Sequence, residues 1–252
     1  MFTPEDLTDD AFLGGKLRLL QPRRGYRAAS DPVLLAASVA ARPGQSVLDL
    51  GCGAGTAILC LAARVPGLEL AGLELQPAYA DLARRNATRN GIALELVVGD
   101  LAQMPAALRR GYDHVIANPP YYSAEGPASP DVGRDTALRQ AAPIALWLET
   151  AARRLHPGGW MTMILGTDAL PGALVAMEGR LGSVSVLPLA PREGQAATRT
   201  VVQARKGGRA AFRLLAPFVL HDGTAHDRDR DSHTAGAKAV LRDGCDLCAR
   251  FS

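Results

Sequence analysis

The sequence feature that most constrains the fold is a short apolar segment that runs directly into three closely spaced glycines. Ser46–Leu50 has the length and composition of a buried strand. The spacing Gly51-x-Gly53-x-Gly55 follows it, and residues 57–65 are apolar and long enough for a helix. Because glycine has no side chain, the backbone of such a turn can approach a ligand closely. A strand, a glycine turn and a helix in this order predict a ligand site at the carboxyl end of the strand.

The rest of the chain alternates between strand patterns and helix patterns. Further strands are predicted at residues 68–75, 94–98, 114–117, 160–165, 184–187 and 200–204. Helices are predicted at residues 32–41, 77–90, 137–155 and 168–181, and no strand-to-strand hairpin is predicted before residue 180. This alternation is typical of an α/β fold with a parallel sheet and helices on both faces. We predict seven strands, mostly parallel, with an antiparallel last strand.

Composition indicates a globular protein of a reducing compartment. The chain has 252 residues, of which 48% are hydrophobic and 21% charged. No stretch approaches the ~18 apolar residues of a membrane span, and the acidic N-terminus lacks the regions of a signal peptide. The four cysteines fit reduced thiols. We therefore expect a cytoplasmic protein that does not bind a membrane; its net charge of +3 permits RNA binding without requiring it.

Cysteine and histidine residues near the C-terminus raise the question of a metal site. Cys245 and Cys248 are spaced as a CxxC pair, and His221 and His226 precede them. A structural zinc site needs four ligands at close spacing, and the two histidines lie far from the pair in sequence. We predict that the chain holds no metal.

The glycine turn resembles a known motif more closely than it resembles a nucleotide-binding loop. Its spacing is one residue shorter than the dinucleotide fingerprint G-x-G-x-x-G, and the turn has no lysine of the kind found in phosphate-binding loops. The pattern Asp49-x-Gly51-x-Gly53-x-Gly55 instead resembles motif I of class I S-adenosylmethionine-dependent methyltransferases. The resemblance implies a Rossmann-like methyltransferase fold and S-adenosylmethionine as the cofactor.

Acidic residues at the ends of the next two strands extend this resemblance. Glu74 ends the second strand and Asp100 the third. In a methyltransferase of this class, Glu74 would accept hydrogen bonds from both ribose hydroxyls and Asp100 from the adenine amine. Asp49 would reach toward the positively charged methionine end. The apolar residues that follow the two strand ends, Leu75 and Leu101, complete the predicted cofactor contacts together with the three glycines and Asn118.

The fourth strand ends in Asn118-Pro119-Pro120-Tyr121, which resembles the motif of amino-methyltransferases. Neither proline has an N–H for a sheet ladder and each fixes its own φ, so the strand ends in a rigid rim. The Asn118 side-chain oxygen and the Pro119 carbonyl are acceptors for the two hydrogens of a planar amine, and Tyr121 would stack on its ring. We expect Asn118, Pro119 and Tyr121 to be catalytic, turning the nitrogen lone pair toward the sulfonium methyl.

Flanking segments make the whole chain resemble the bacterial tRNA(Val) adenine-N6 methyltransferase family. The segments are residues 26–35, with a Ser-Asp-Pro-x-Leu-Leu pattern, and residues 73–77, 118–122 and 218–224. The resemblance implies methylation of the adenine N6 amine 3′-adjacent to the anticodon, with tRNA as the partner and a base splayed out of its stack. We expect the substrate contacts to be Tyr121, Tyr122, Arg27 and Arg134.

Three other functions remain open from the sequence. N5-methylation of glutamine in peptide release factors uses the same rim, but those enzymes carry an N-terminal helical domain, and only about 45 residues precede the glycine turn here. N6-methylation of adenine in rRNA is a second. A non-catalytic module that binds nucleotide or RNA is a third, although the intact acidic and amide residues argue against it.

The predicted domain organisation is a single core with two extensions. Residues 1–45 form an N-terminal extension within the same domain as the methyltransferase core, residues 46–210. Residues 211–252 form a C-terminal extension and charged tail. No obligatory protein partner is evident.

Overall fold

The fold is built around one large mixed sheet. The structure is a computed structural model that describes residues 1–120, 143–223 and 232–252. Its strands are β1 (Leu7–Phe12), β2 (Leu17–Pro22), β3 (Ser46–Leu50), β4 (Glu69–Glu74), β5 (Glu95–Val98), β6 (Tyr112–Ala117), β7 (Leu155–Gly166), β8 (Gly182–Arg192), β9 (Arg199–Arg205), β10 (Arg213–Leu214) and β11 (Phe218–His221). Its helices are α1 (Asp31–Ala37), α2 (Thr56–Arg64), α3 (Pro77–Arg89), α4 (Ile144–Arg154), α5 (Leu170–Met177) and α6 (Ala235–Lys238).

The sheet has the predicted topology with two short additions. Seven strands run in the order β5-β4-β3-β6-β7-β9-β8. Strands β3 to β7 pair in parallel, whereas β9 is antiparallel to both of its neighbours. The seven-stranded sheet with an antiparallel last strand is therefore confirmed. Strands β10 and β11 pair in parallel with the outer edge of β8 and extend the sheet to nine strands.

Helices cover both faces of the sheet, as predicted. Successive residues of a strand point to opposite faces, and the core divides accordingly. Val47 and Ile116 pack with α1 and α2 in one apolar cluster. Leu48 and Val115 pack with α4 and α5 in a second cluster on the other face. Strands β3, β4 and β6 are thus buried on both sides, which explains why they are apolar almost throughout, whereas the edge strand β5 is partly exposed.

The prediction that no hairpin precedes residue 180 is wrong. Strands β1 and β2 form an antiparallel hairpin in which Leu7 pairs with Pro22 and Phe12 with Leu17. Gly14 and Gly15 at its turn have φ angles of 64° and 95°. Such left-handed conformations, which glycine adopts readily, reverse the chain between two strands. The sequence signal for this hairpin was the Gly14-Gly15 pair, followed by the alternating apolar residues of β2.

Asn86 of α3 and Asn90, which follows its last residue, dock this hairpin onto the core. Asn86 Oδ1 accepts from Leu20 N at 2.7 Å and Nδ2 donates to Leu20 O at 3.0 Å. One helical turn on, Asn90 makes the same pair of bonds with Arg18 N and O, at 3.1 and 2.9 Å. Each side-chain amide thus replaces a neighbouring strand and satisfies the edge of β2, which would otherwise be an exposed template for pairing.

The helices predicted at residues 32–41 and 168–181 are shorter in the structure, and the one predicted at residues 137–155 lies partly outside the described residues. The helix predicted at residues 168–181 spans Leu170–Met177, with Pro171 in its first turn, where a missing N–H carries no penalty. The helix predicted at residues 137–155 is described only from Ile144 onward. No helix in the described ranges combines the length and apolarity that a bilayer crossing requires.

Candidate active site

A cleft opens over the carboxyl ends of β3, β4, β5 and β6. Because parallel strands end at the same edge, residues far apart in sequence meet there. The cleft is lined by predicted and unpredicted residues, among them Tyr26, Asp49, Gly51, Gly53, Glu74, Leu75, Tyr79, Asp100, Leu101, Asn118 and Trp147. Most of the residues predicted to bind the cofactor therefore lie in one place.

Two glycines of the turn adopt backbone conformations that residues with a side chain disfavour. Gly51 has a φ of 65°, and a Cβ atom there would lie 2.5 Å from the ring of Trp147. Gly53 has a φ of 55°, and a Cβ atom there would lie 3.8 Å from Cε1 of the Tyr26 ring. Both conformations are strained for residues with a side chain. The turn therefore holds its shape only with glycine at these two positions.

Gly55 and Pro119 lie beside the cleft rather than along its wall. Gly55 precedes α2 with a φ of 84°, and a Cβ there would approach Ala83 and Leu59 at 3.3 Å. Its role in this position is close packing of α2 against α3. Pro119 is buried behind the rim that Asn118 and Pro120 form.

Glu74 ties the second strand to the glycine turn. One carboxylate oxygen accepts from Gly53 N at 2.9 Å and the other from Gln76 N at 2.8 Å. The residue is only 6% exposed, and burial raises the pKa of Glu74 above its ordinary value. Each oxygen retains acceptor capacity beyond these bonds, so the carboxylate is held rigidly at the cleft with lone pairs available for hydroxyl donors.

Asp49 is a buried acceptor that lacks a donor at one oxygen. The residue is 2% exposed, and Oδ2 has no hydrogen-bond partner in the part of the chain that the structure describes. Burial raises the pKa of Asp49 well above its ordinary range, and the nearby Glu74 carboxylate raises it further. A buried carboxylate without a partner is costly. A cationic ligand in the cleft would remove that cost.

Asp100 and Leu75 form the far end of the cleft, at the ends of β5 and β4. Asp100 is exposed, and its Oδ1 accepts from Ala102 N at 2.8 Å, which caps the short turn Leu101–Gln103. Leu75 is 43% exposed although it is apolar. An exposed aliphatic side chain beside a carboxylate suits a flat ring that carries an amine donor.

Asn118 lies at the end of β6 and is hydrogen-bonded across the cleft. Its Nδ2 donates to the hydroxyl of Tyr26 at 3.2 Å. Tyr26 and Trp147 were not predicted as site residues. The sequence signal for Tyr26 was its position just before the Ser-Asp-Pro segment. Trp147 carried no such signal, because it belongs to the apolar face of α4 and packs with the core.

The predicted substrate contacts are placed only in part. Arg27 forms an ion pair of 2.7 Å with Asp10 and also donates to Thr8 Oγ1 and Pro22 O. Its guanidinium thus joins the two strands of the hairpin. Tyr121, Tyr122 and Arg134 lie outside the described residues.

The thiols and histidines near the C-terminus do not form a metal site in the described ranges. No group of three or more metal-ligating side chains occurs among residues 1–120, 143–223 and 232–252. Cys245 is exposed, while Cys248 is half-buried and its Sγ contacts Ala37 O at 3.8 Å. His226 is not among the described residues.

The residues of the cleft fit S-adenosylmethionine. The unpartnered oxygen of Asp49 suits the ammonium group of the methionine end, and the carboxylates of Glu74 and Asp100 suit ribose and adenine donors. Gly51 and Gly53 both line the cleft, and neither carries a side chain, so the ligand can contact the backbone of the turn. The sheet topology and this cleft define a class I S-adenosylmethionine-dependent methyltransferase.

Family assignment agrees with this class. Residues 29–189 match the family model of the methyltransferase small domain, and the chain belongs to that family.

Two relatives by sequence act on amines attached to rings. One is a tRNA1(Val) (adenine(37)-N6)-methyltransferase from Actinobacillus succinogenes, 29% identical over 201 residues, which are 78% of this chain and 84% of the relative. The other is a 4-amino-L-phenylalanine/4-methylamino-L-phenylalanine methyltransferase from Streptomyces pristinaespiralis, 34% identical over 156 residues. That match covers 56% of this chain and 51% of the relative.

Solved structures show the same fold. A predicted O-methyltransferase from Agrobacterium tumefaciens superposes with a TM-score of 0.70 at 26% identity, covering 86% of this chain and 98% of the other. The 16S rRNA N2 G1207 methyltransferase of T. thermophilus, in complex with AdoMet and guanosine, has a TM-score of 0.56 at 21% identity. That match covers 79% of this chain and 50% of the other.

Proposed function

We propose that the protein methylates the exocyclic N6 amine of an adenine in tRNA, the adenine 3′-adjacent to the anticodon of tRNA(Val). The observation that carries the proposal is the position of Asn118. Its amide lies at the rim of the cleft that holds Asp49, Glu74 and Asp100, so an amine acceptor faces the cofactor site. The tRNA1(Val) adenine methyltransferase from Actinobacillus, which aligns over most of both chains, supports adenine as the ring.

The three carboxylates orient the cofactor in this proposal. S-adenosylmethionine supplies an electrophilic methyl group on a sulfonium. Asp49 binds the ammonium of its methionine end, Glu74 the ribose hydroxyls and Asp100 the adenine amine. Leu75 and Leu101 contact the adenine faces. These contacts at the ends of three adjacent strands leave the side of the cleft near Asn118 for the substrate.

Asn118 and Pro119 orient the nucleophile. The side-chain oxygen of Asn118 and the carbonyl of Pro119 accept the two amine hydrogens. The delocalised lone pair of the amine is thereby directed out of the ring plane toward the methyl group. A nitrogen–carbon bond forms as the sulfur–carbon bond breaks, and the amine loses one proton to solvent. The two acceptors stabilise the positive charge that develops on nitrogen, and positioning carries most of the rate enhancement.

RNA binding in this proposal involves the rim and the loop after β2. Tyr121 stacks on the extruded base, and Tyr122 and Arg134 contact the substrate. Arg27 was predicted to contact phosphate, but its guanidinium is already paired with Asp10. The neighbouring residues Arg23 and Arg24 are also exposed, and neither forms an ion pair among the described residues, although Arg23 donates to the Glu5 carbonyl. These two are therefore the better phosphate contacts from the same loop.

An arylamine is the second candidate substrate. The Streptomyces relative is 34% identical and is named for an amine on a phenyl ring. Adenine and 4-aminophenylalanine share an exocyclic amine conjugated to a ring, which is the group that two acceptors at Asn118 and Pro119 would bind. The rim therefore suits both substrates. Adenine in tRNA and 4-aminophenylalanine differ in the groups attached to the ring that carries the amine.

The decisive measurement is methyl transfer by the purified protein. Radiolabelled S-adenosylmethionine is offered with an unmodified tRNA(Val) transcript, with 4-amino-L-phenylalanine, or with a release-factor fragment. We expect transfer to the transcript only, and none to a control transcript with guanine in place of the adenine 3′ of the anticodon. In cells, mass spectrometry of total tRNA from a deletion strain should show the loss of one N6-methyladenosine. Transfer to the arylamine or the protein fragment alone would contradict the proposal.

A further inference from the structure

The ring of Tyr26 forms the wall of the cleft that faces Asn118. Tyr26 lies between β2 and α1 and is 40% exposed. Its Cε1 lies 3.8 Å from the position that a Cβ of Gly53 would take, so the ring stands over the glycine turn. Its hydroxyl accepts a hydrogen bond of 3.2 Å from Asn118 Nδ2. One residue thus lies beside the glycine turn and hydrogen-bonds to the amide at the rim.

Tertiary contacts hold Tyr26 from both sides. Its backbone N–H donates to the hydroxyl of Tyr79 at 2.9 Å, and Tyr79 is a buried residue of α3 with the ring of Phe2 packed edge-on at 5.3 Å. Two residues further on, Ala28 N donates to Gln21 Oε1 at 2.7 Å. The backbone at and just after Tyr26 is therefore held in place by α3 and by the hairpin.

The hydrogen bond to Tyr26 determines which end of the Asn118 amide is the acceptor. A carboxamide has a donor end and an acceptor end, and a half-turn exchanges them. With Nδ2 directed at Tyr26, Oδ1 is the opposite end. A flipped amide would present its own N–H groups to the N–H groups of an amine, and the two would repel each other.

Carboxylates near Tyr26 make its hydroxyl an acceptor for Asn118. Burial of the hydroxyl, followed by the charges of Asp31 and Asp49, raises the pKa of Tyr26 well above its ordinary value. Tyr26 therefore remains a neutral phenol. The negative field of the two carboxylates attracts its proton, which leaves the oxygen lone pairs for the N–H of Asn118.

We propose that Tyr26 is a positioning residue that fixes the Asn118 amide with its oxygen as the acceptor for the substrate amine. The inference rests on the proposed function, in which Asn118 Oδ1 accepts a hydrogen from that amine. Tyr26 acts through Asn118 and touches no reacting atom. Its hydroxyl therefore affects the transfer rate and leaves cofactor affinity unchanged.

The test is the Tyr26→Phe substitution in two backgrounds. Phenylalanine keeps the ring over Gly53 and removes only the hydroxyl. We expect kcat for the tRNA(Val) transcript to fall about tenfold in the otherwise wild-type protein. In the Asn118→Asp background we expect a change of less than about twofold, because a carboxylate has two equivalent acceptor oxygens and no orientation to fix. The Kd for S-adenosylmethionine and the Tm should stay the same in both backgrounds.

Tyr112→Phe is the matched control. Tyr112 is a buried tyrosine of β6 whose hydroxyl has no hydrogen-bond partner in the described ranges, and its removal should leave kcat unchanged. An equal loss in both backgrounds, no loss in either, or a loss of cofactor affinity that matches the loss of kcat would overturn the inference. If Asn118→Asp is inactive, the test rests on Tyr26→Phe in the otherwise wild-type protein. A lower kcat with an unchanged Kd for S-adenosylmethionine then supports the inference, and any other result overturns it. If the wild-type protein methylates neither tRNA nor arylamine, the proposed function itself fails, and the inference fails with it.

Discussion

At the scale of single residues, the site contains carboxyl groups that are buried, and a buried negative charge is unfavourable unless a ligand or another group compensates it. Asp49 and Glu74 are both buried, and burial raises the pKa of each. Glu74 is compensated by two backbone N–H groups, whereas Asp49 has one oxygen without a partner among the described residues. The cleft therefore stores an unfavourable interaction that a cationic ligand relieves.

Replacing Asp49 should separate stability from cofactor binding. We expect Asp49→Asn to raise the Tm of the cofactor-free protein at pH 7, because a neutral amide is less costly to bury than a carboxylate. The same variant should bind S-adenosylmethionine at least about tenfold more weakly, since the partner of the ammonium is lost. Thermal unfolding and titration calorimetry measure the two effects. Asp243→Asn, at an exposed position of the C-terminal segment, should change neither.

The effect of Asp49 on stability should depend on pH in a definite direction. Its native pKa is raised, so between the unfolded value of about 3.9 and the native value the native state keeps a proton that the unfolded chain has released. The contribution of Asp49 to the free energy of unfolding is therefore largest below pH 4 and falls as the pH rises through this window. The difference in unfolding free energy between wild type and Asp49→Asn, measured by urea titration, should grow with pH. A difference independent of pH would exclude a raised pKa.

Asn118 should divide transfer from cofactor binding. We expect Asn118→Ala to abolish methyl transfer, since it removes the acceptor that orients the amine, and to leave the Kd for S-adenosylmethionine nearly unchanged. Single-turnover kinetics and calorimetry distinguish the two quantities. Asp100→Ala is the converse variant, because it should weaken cofactor affinity first. Equal loss of transfer and affinity in Asn118→Ala would refute this division of roles.

At the scale of elements, the N-terminal hairpin is held by side chains rather than by the main sheet. Asn86 is fully buried and bonds to Leu20 N, Leu20 O and Ala54 O. Because Ala54 belongs to the glycine turn, one side chain connects the hairpin, α3 and the cofactor site. The hairpin leads into the segment that carries Tyr26, whose N–H donates to the hydroxyl of Tyr79 on the same helix α3.

Removing Asn86 should cost far more stability than removing its neighbour. We expect Asn86→Ala to lower the free energy of unfolding by about 2–4 kcal/mol, since it leaves buried backbone groups of Leu20 and Ala54 unsatisfied. Asn90→Ala is the matched control and should cost about 1 kcal/mol or less, because water can replace its bonds at a half-exposed position. Urea denaturation measures both changes, and hydrogen exchange at the β2 amides should accelerate in Asn86→Ala. Equal costs would contradict this account of docking.

At the scale of the whole molecule, the proposed function involves two surfaces, one inside the cleft and one outside it. The inner surface is the cleft, formed by strand ends from residues 49 to 118. The outer surface includes the loop after β2, where Arg23 and Arg24 are exposed close to Tyr26 in sequence. The C-terminal segment lies elsewhere: Leu247 N donates to Ala37 O at the end of α1, and Leu247 packs in the core cluster of α1 and α2.

Positive charge at the outer surface should strengthen RNA binding without affecting the methylation of small substrates. We expect Arg24→Ala to weaken binding of the tRNA(Val) transcript and to lower the slope of log Kd against log salt by about 0.9, the value of one phosphate contact. Methylation of any arylamine should be unaffected. Arg153→Ala on α4, whose side chain pairs with Glu149 one turn away, is the control. Filter binding at several salt concentrations measures the slope. An equal change of slope in Arg24→Ala and Arg153→Ala would contradict a phosphate contact at Arg24.

Local patterns in the chain were enough to predict the fold class and the residues of the strand ends. A buried parallel strand needs a run of apolar residues, and a sharp turn onto a helix needs glycine. Both requirements are met by neighbours in sequence, so Ser46–Leu50, the glycine turn and Asn118 could be recognised from order alone. The hairpin was not predicted because its first strand, Leu7–Phe12, contains two aspartates, a residue type that is uncommon in strands.

Contacts between residues that are distant in sequence determine the features of the site that local patterns did not predict. The bond from Asn118 to Tyr26 joins residues 92 positions apart, and that from Asn86 to Leu20 spans 66. The docking of Trp147 over Gly51 and the pairing of Arg27 with Asp10 likewise depend on how helices and hairpin pack. A side chain's partner is set by three-dimensional proximity, which residue type and spacing do not specify. The chain's pattern therefore predicted which acidic and amide residues line the cleft, whereas packing determined which other side chains lie beside them.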